Sequence, residues 1–202
     1  MARAAPMSPE DRRAQLLRAA RRVFAERGYH SAGVSHIIRE AGVARGTFYN
    51  YFESKGAIFH AVLEELTGEL AGAADRIDIT RPIAPQAHAI VHDIICAVMQ
   101  PDVVRLLFSE AVGTEEGDAA LRAFYDHAEE RLVGTLKIGA GLGIVRNGDL
   151  RLTARCMLGM VKEPVFVATL RGEALRPEPL IAEFTAFLTQ GVLQLSLDGS
   201  AD

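Results

Sequence analysis

Ala41-Gly42-Val43-Ala44-Arg45-Gly46-Thr47-Phe48-Tyr49-Asn50-Tyr51-Phe52 decides how this chain is read. Gly42 stands between an apolar-periodic segment ending at Ala41 and a new one beginning near Ala44, which is the place for a left-handed turn residue. Val43 can then drop into a small core. Phe48 and Phe52 are four residues apart and share the inward face of the short helix that follows, while Arg45, Thr47, Tyr49 and Asn50 project outward or flank it. One face packs, and the other offers a cation, a hydroxyl, a phenol and an amide. Such groups contact phosphate oxygens and base edges, so the segment has the chemistry of a helix that reads DNA.

The neighbouring segments supply a scaffold for so short a helix. Ser8-Pro9-Glu10-Asp11 offers a Ser N-cap, Pro at the first helical position and two acids in the first turn. Leu16, Leu17, Ala20, Val23 and Phe24 follow at helical spacing, and this helix should stop at Gly28. Ser31 can cap a second helix with Val34, Ile37, Ile38 and Ala41 inward. Ser54 can cap a fourth whose buried stripe is Ala57, Ile58, Val62 and Leu66. Gly56, a poor helix former near its start, allows that helix to adjust its angle.

Residues 8 to 66 resemble the N-terminal helix-turn-helix domain of the TetR family (TetR/AcrR-like) of bacterial transcriptional regulators. The resemblance runs through Phe24, Gly28, Ile37, Ala41-Gly42-Val43, Gly46-Thr47-Phe48-Tyr49, Tyr51-Phe52 and Ser54-Lys55. One departure is Ala44, where such regulators often carry a Ser or Thr cap; the missing hydroxyl costs the helix roughly 1 kcal/mol. The implied architecture is all-α: a three-helix DNA-binding domain over residues 1–54, joined by a long helix to a helical ligand-binding and dimerisation domain over 55–202. Arg45 is the candidate for base contact, with Thr47, Tyr49 and Lys55 on phosphates and Asn50 able to do either. Gly46 belongs to the same DNA-facing set, and Ser31 adds a hydroxyl or amide contact at the start of helix two. Tyr51 either packs or touches DNA.

Charge distribution agrees. The 202-residue chain carries a net charge of −4, yet residues 1–60 hold ten Lys or Arg against five Asp or Glu, a balance of +5 that leaves −9 for the remainder. Only the N-terminal part suits a polyanion, although the arginines of the first helix also read as a solvated face. No continuous apolar run marks a signal peptide, and Lys162 and Glu163 interrupt the most apolar later segment, so the expected setting is cytoplasmic with no membrane partner. Cys96 and Cys156 read as reduced core thiols rather than as a disulfide.

Beyond residue 70 the pattern is still helical. Helices are expected at 87–99 and 103–112, then along Leu121, Phe124, Tyr125, Ala128, Leu132 and Leu136. Gly139-Ala140-Gly141-Leu142-Gly143 lacks the strand-turn-helix context of a phosphate loop and reads as a helix terminus. Asn147-Gly148-Asp149 turns the chain into a helix running towards Leu170. That helix is apolar around most of its circumference through Met157, Leu158, Met160, Val161, Val165, Phe166 and Val167. Pro164 within it forces a kink or break, which either shapes a pocket or is a bend without signalling role. The last helix contributes Leu180, Ile181, Phe184, Phe187, Leu188, Val192 and Leu195, with Gly191 permitting close approach. These two helices carry more apolar surface than one subunit can cover, which points to a homodimer through a four-helix bundle, the pairing that the resemblance also implies. Two recognition helices about 34–36 Å apart would then enter successive major grooves of a pseudo-palindromic double-stranded operator.

The resemblance further implies a small-molecule effector, apolar or amphipathic, in a pocket of the second domain. Its candidate lining is His88, His92, Ile95, Met99, Phe108, Phe124, Tyr125, Met157, Met160 and Phe166, although each residue also reads as ordinary core. His88, His92 and Cys96 share one helical stripe and all ligate soft metals, but three residues spaced four apart span two turns and rarely converge on one ion. No metal or cofactor is assigned. The sequence also lacks a Gly-flanked nucleophile and a helical two-His-plus-Glu motif, so no catalytic residue is assigned. The reading is therefore a ligand-responsive transcriptional regulator, a repressor by resemblance. The alternative is a helical lipid- or protein-binding module that does not act on transcription.

Overall fold

The computed structural model describes residues 7–74, 77–108, 114–174 and 176–193, and among them lie nine α-helices and a final π-helical turn. Helix α1 spans Pro9–Ser31; Ser8 caps it, its Oγ accepting from the Asp11 N–H at 3.0 Å. The helix breaks at Gly28, whose φ of 70° suits glycine, and one further turn carries the chain to Ser31. Leu16, Leu17, Ala20, Val23 and Phe24 are all buried, as their spacing requires.

Helix α2 runs from Val34 to Ala41, so Ser31 does not cap it. Gly33 occupies the N-cap, and the ring Nδ1 of His36 accepts from the Gly33 N–H at 3.1 Å. An imidazole three residues inside the helix thus satisfies a terminal donor, a device that the hydroxyl-based cap rule does not anticipate. Of the four residues expected inward, Ile37 and Ala41 are buried, whereas Val34 and Ile38 are half-buried. Gly42 ends α2 with φ 65°, and Gln15 Nε2 donates to the Ala41 carbonyl at 2.8 Å.

Helix α3 (Arg45–Tyr49) and helix α4 (Lys55–Ala74) follow. Ser54 Oγ accepts from the Ala57 N–H at 3.1 Å, the expected cap. Ile58, Val62 and Leu66 are buried, but Ala57 faces solvent and Phe59 takes the inward place. Its ring meets Phe24 edge-on with centroids 5.0 Å apart and Tyr29 at 4.7 Å, forming the aromatic centre of this core. Gly56 has a packing role rather than a hinge role: a Cβ there would stand 2.9 Å from Cβ of Glu116 and closer still to its carboxylate.

The chain divides into two compact bodies that do not follow chain order: Met1–Leu66 with Pro101–Phe124, and Thr67–Gln100 with Tyr125–Asp202. In the first, helix α6 (Pro101–Phe108) packs on α1, where Arg21 Nε meets Asp102 Oδ2 at 2.9 Å and Arg105 donates to the Ala25 carbonyl at 3.3 Å. Residues 109–112, where the sequence extends this helix, lie outside the described residues.

In the second body, helix α5 (Ile83–Val98) packs against helix α9 (Pro177–Phe187), where Leu180, Ile181 and Phe184 are buried. Helix α7 (Glu115–Gly141) starts in the first body and ends at the glycine cluster. Gly139 admits Val145, whose Cγ2 would lie 2.6 Å from any Cβ there, so the cluster is a helix terminus with a packing contact. Asp149 caps helix α8 (Leu150–Arg171), its Oδ1 accepting from the Leu152 N–H at 2.9 Å, and α8 passes through Pro164 as one element. The π-helical turn Leu188–Val192 leads to a single antiparallel bridge between Leu193 and Val145; Leu195 lies outside the described residues.

Glu129 on α7 ties this body together by pairing with Arg151 and with Arg155 Nε, the latter at 2.7 Å. The hydrogen bond from Arg155 holds its carboxyl below the usual range against an opposing desolvation. A carboxyl depressed in the folded state stabilises above its unfolded pKa of about 4.3, and the benefit disappears as pH falls through the folded value. Glu129→Gln should therefore lower the melting temperature at neutral pH, with the gap to wild type closing below about pH 4. A gap of constant size across that range would show that the carboxylate charge contributes nothing.

Candidate nucleic-acid interface

Helix α3 is held by its inward side. Phe48 is 0% exposed, with ring centroids 6.0 Å from Phe52 and 5.3 Å from Tyr49, and Phe52 is buried beside it. Ala44 stands at the N-cap with no side-chain bond, so the missing hydroxyl is a real feature of this helix. Its amides at Thr47 and Phe48 bond instead to the Ala44 carbonyl at 3.0 and 3.4 Å.

The outward side carries the groups named from sequence. Arg45, Gly46, Tyr49 and Asn50 are exposed and Thr47 is half-buried. Arg45 has no acidic partner among the described residues; its guanidinium lies 5.7 Å from the Tyr49 ring, which is itself 45% exposed. By contrast, Arg12 bonds to Gln15, Arg22 to Glu40 and Arg21 to Asp102, while Arg13 covers the Phe52 ring at 5.5 Å. Those four arginines of α1 are engaged within the first body, three of them by polar partners, whereas Arg45 is exposed and its contact is with the exposed Tyr49 ring. A Cβ at Gly46 would meet nothing within 4 Å, so nothing inside the protein requires glycine there.

Between α2 and α3 lies a groove of about 320 Å³ lined by Val34, Ser35, Ile38 and Arg45. Ser35 was not singled out by sequence reasoning. Its signal is positional: it is an exposed hydroxyl in the first turn of α2, and it lines the groove together with Arg45. Ser31 is exposed too, but at the end of α1 rather than at the start of α2.

Lys55 is placed differently from the other DNA candidates. Its ammonium donates to the Tyr29 carbonyl at 2.8 Å and lies 4.1 Å from the Tyr29 ring centroid. Burial lowers its pKa, opposed by the nearby negative charge of Glu116. Tyr29 in turn donates its hydroxyl to Glu116 Oε2 at 3.3 Å; burial and the Glu116 charge raise the phenol's pKa.

The residues expected to line an effector pocket fall into both bodies: Phe108 and Phe124 in the first, the other eight in the second. Ile95 and Met157 are buried, Met99 and Met160 half-buried, and His88, His92 and Phe166 exposed. Tyr125 is under the Lys162 ammonium, 4.9 Å from its ring centroid, and burial pushes its phenol up to about 12, so it stays neutral. His88 Nδ1 sits 3.2 Å from Thr185 Oγ1, while His92 Nε2 faces Cys96 Sγ at 3.8 Å. The three-residue stripe therefore does not converge, and no group of three potential metal ligands occurs among the described residues. No helix among them is long and apolar enough to cross a membrane.

Residues 16–62 match the family described as bacterial regulatory proteins, tetR family. The chain is 47% identical over 55 residues to the HTH-type transcriptional activator FasR of Mycolicibacterium smegmatis, covering 27% of this chain and 25% of that protein. The segment thus spans about a quarter of that relative's length. A longer match joins it to the fatty acid metabolism regulator protein of Bacillus subtilis, 29% identical over 159 residues, or 75% of this chain and 80% of that one. The fold is shared with the crystal structure of the transcriptional regulator FadR from Bacillus subtilis in complex with stearoyl-CoA, with a TM-score of 0.73, 24% identity, and coverage of 88% and 98% of the two chains.

Proposed function

The chain belongs, through its N-terminal domain, to the TetR family of bacterial transcriptional regulators, and from that premise we propose that it is an effector-released repressor that binds a pseudo-palindromic operator as a homodimer. The observation that carries the reading is the division of α3 into a buried anchor, Phe48, and an outward set with an exposed guanidinium, Arg45, that has no acidic partner among the described residues. Arg45 is assigned to a base edge, Thr47, Tyr49 and Lys55 to phosphates, and Asn50 to either. Gly46 lets the DNA backbone approach the helix, and Ser35 replaces Ser31 as the hydroxyl beside the groove. A dimer seated over a promoter excludes polymerase by its volume, which is the support for repression. The protein acts where the DNA is, in the cytoplasm.

Helix α8 supports the dimer. Leu152, Gly159 and Phe166 recur every seven residues, with Leu170 one turn on, and the three large residues are 57%, 39% and 74% exposed. A Cβ at Gly159 would meet nothing within 4 Å, so a second helix can approach closely there. When two copies of α8 cross antiparallel at Gly159, residues equally spaced on either side face each other across the two-fold axis. Leu152 then opposes the partner's Phe166, and Arg155 opposes the partner's Glu163. Gly159→Cys, in a chain whose Cys96 and Cys156 are replaced by Ser, should cross-link to covalent dimer under mild oxidation. A dimer by sedimentation that gives no cross-link would move the crossing point elsewhere; a monomer at all concentrations would remove the dimer.

For the effector, we place this chain with regulators that respond to fatty acyl groups. The support is the long match to a fatty acid metabolism regulator and the stearoyl-CoA held by a protein of the same fold. The amphipathic character of such a ligand suits the mixture of Met, aromatic and His residues in the second body. The test is retention of fragmented genomic DNA from the source organism on purified protein, followed by addition of stearoyl-CoA, free CoA or stearate. A few enriched palindromic sites released only by the acyl compounds would carry the whole reading. Enrichment without release would leave a regulator of another effector, and a folded dimer that enriches nothing would favour a binding module with no role in transcription.

A further inference from the structure

Lys55, Tyr29 and Glu116 converge from three elements of the first body: the end of α1, the start of α4 and the start of α7. Tyr29 and Lys55 belong to the N-terminal segment, while Glu116 comes from a segment more than fifty residues further along the chain. The packing is specific, because Gly56 leaves the space into which the Glu116 side chain fits. There the carboxylate accepts the Tyr29 hydroxyl, and the Tyr29 ring and carbonyl hold the Lys55 ammonium. A lysine at the start of α4 that is to contact a phosphate must leave this inward cradle.

We propose that Glu116 is a positioning residue for Lys55: it holds the Lys55 ammonium inward through Tyr29 and competes with DNA phosphate for that charge. The proposal rests on the reading of the first body as a DNA-binding surface and adds to it an internal carboxylate that limits one of its cations. Ion pairing with phosphate releases counterions, and each phosphate neutralised steepens the dependence of log affinity on log salt by about 0.9. A cation retained by the cradle is lost from that slope.

Two variants disturb the cradle by different routes. Glu116→Gln removes the charge but keeps the shape; Gly56→Ala keeps the charge but displaces the carboxylate. Binding to short random-sequence duplex DNA is measured over a salt series for wild type, for each variant, and for each variant combined with Lys55→Met. Both single variants should bind several-fold more tightly at low salt, with a slope steeper by up to about 0.9, and both gains should vanish in the Lys55→Met background. Unchanged or weaker binding overturns the proposal. A gain that persists without Lys55 also overturns it, since Glu116 would then act through its own long-range charge. Failure of the underlying DNA reading is seen separately, as absence of binding by the wild-type protein before any variant is compared.

Discussion

Phe48→Ala is expected to destabilise the first body by about 3–5 kcal/mol and to abolish retention of DNA. A five-residue helix such as α3 has no stability of its own, because nucleation costs more than one turn of hydrogen bonds returns. Its position depends on Phe48, which has no exposed surface and touches the rings of Phe52 and Tyr49. Truncation leaves a cavity that the neighbouring aromatic rings can fill only in part, and the loss is large against a typical domain stability of about 5–15 kcal/mol. Urea unfolding and DNA retention should change together. An unaltered unfolding midpoint would show that α3 is held by its flanking turns instead of by this ring.

Arg45→Ala should leave stability within about 0.5 kcal/mol of wild type, as for exposed residues whose contacts face solvent. Its effect falls on recognition. A bidentate arginine contact to a base edge discriminates by about 1–3 kcal/mol, roughly 5- to 150-fold in affinity. The variant should lose that factor on the selected operator while its binding to random duplex falls only by the contribution of one charge. Comparing operator and random duplex at matched salt separates the outcomes. An equal loss on both would reassign Arg45 to phosphate and transfer base reading to Asn50 or Thr47.

The two substitutions probe different levels of the same helix, and sequence reached them unequally. The Phe48/Phe52 spacing and the turn at Gly42 are local, and the folded chain keeps both. The caps at Ser8 and Ser54 were equally legible, since a hydroxyl bonds an amide three residues on whatever surrounds it. The reading failed at Ser31 although that error is also local, because an imidazole rather than a hydroxyl caps α2. The inward place assigned to Ala57 went to Phe59, since a stripe inferred from periodicity is uncertain by a position or two until the partner rings of Phe24 and Tyr29 are located.

What sequence alone determined is the order of helices, their breaks at Gly28 and Gly42, and the chemistry on the outward face of α3. Each depends on torsional preference, capping or amphipathic spacing, all of which act within a few residues. Tertiary structure alone decided which polar groups are committed. Arg21 lies 81 residues from Asp102 and Tyr29 lies 87 from Glu116, yet those pairs occupy an arginine and a tyrosine that sequence leaves indistinguishable from surface groups. The same holds for Gly56, whose glycine reads as flexibility until the Glu116 side chain is seen in its place. Such pairings follow from how helices pack, and helix packing is set by surfaces that meet only once the chain has folded.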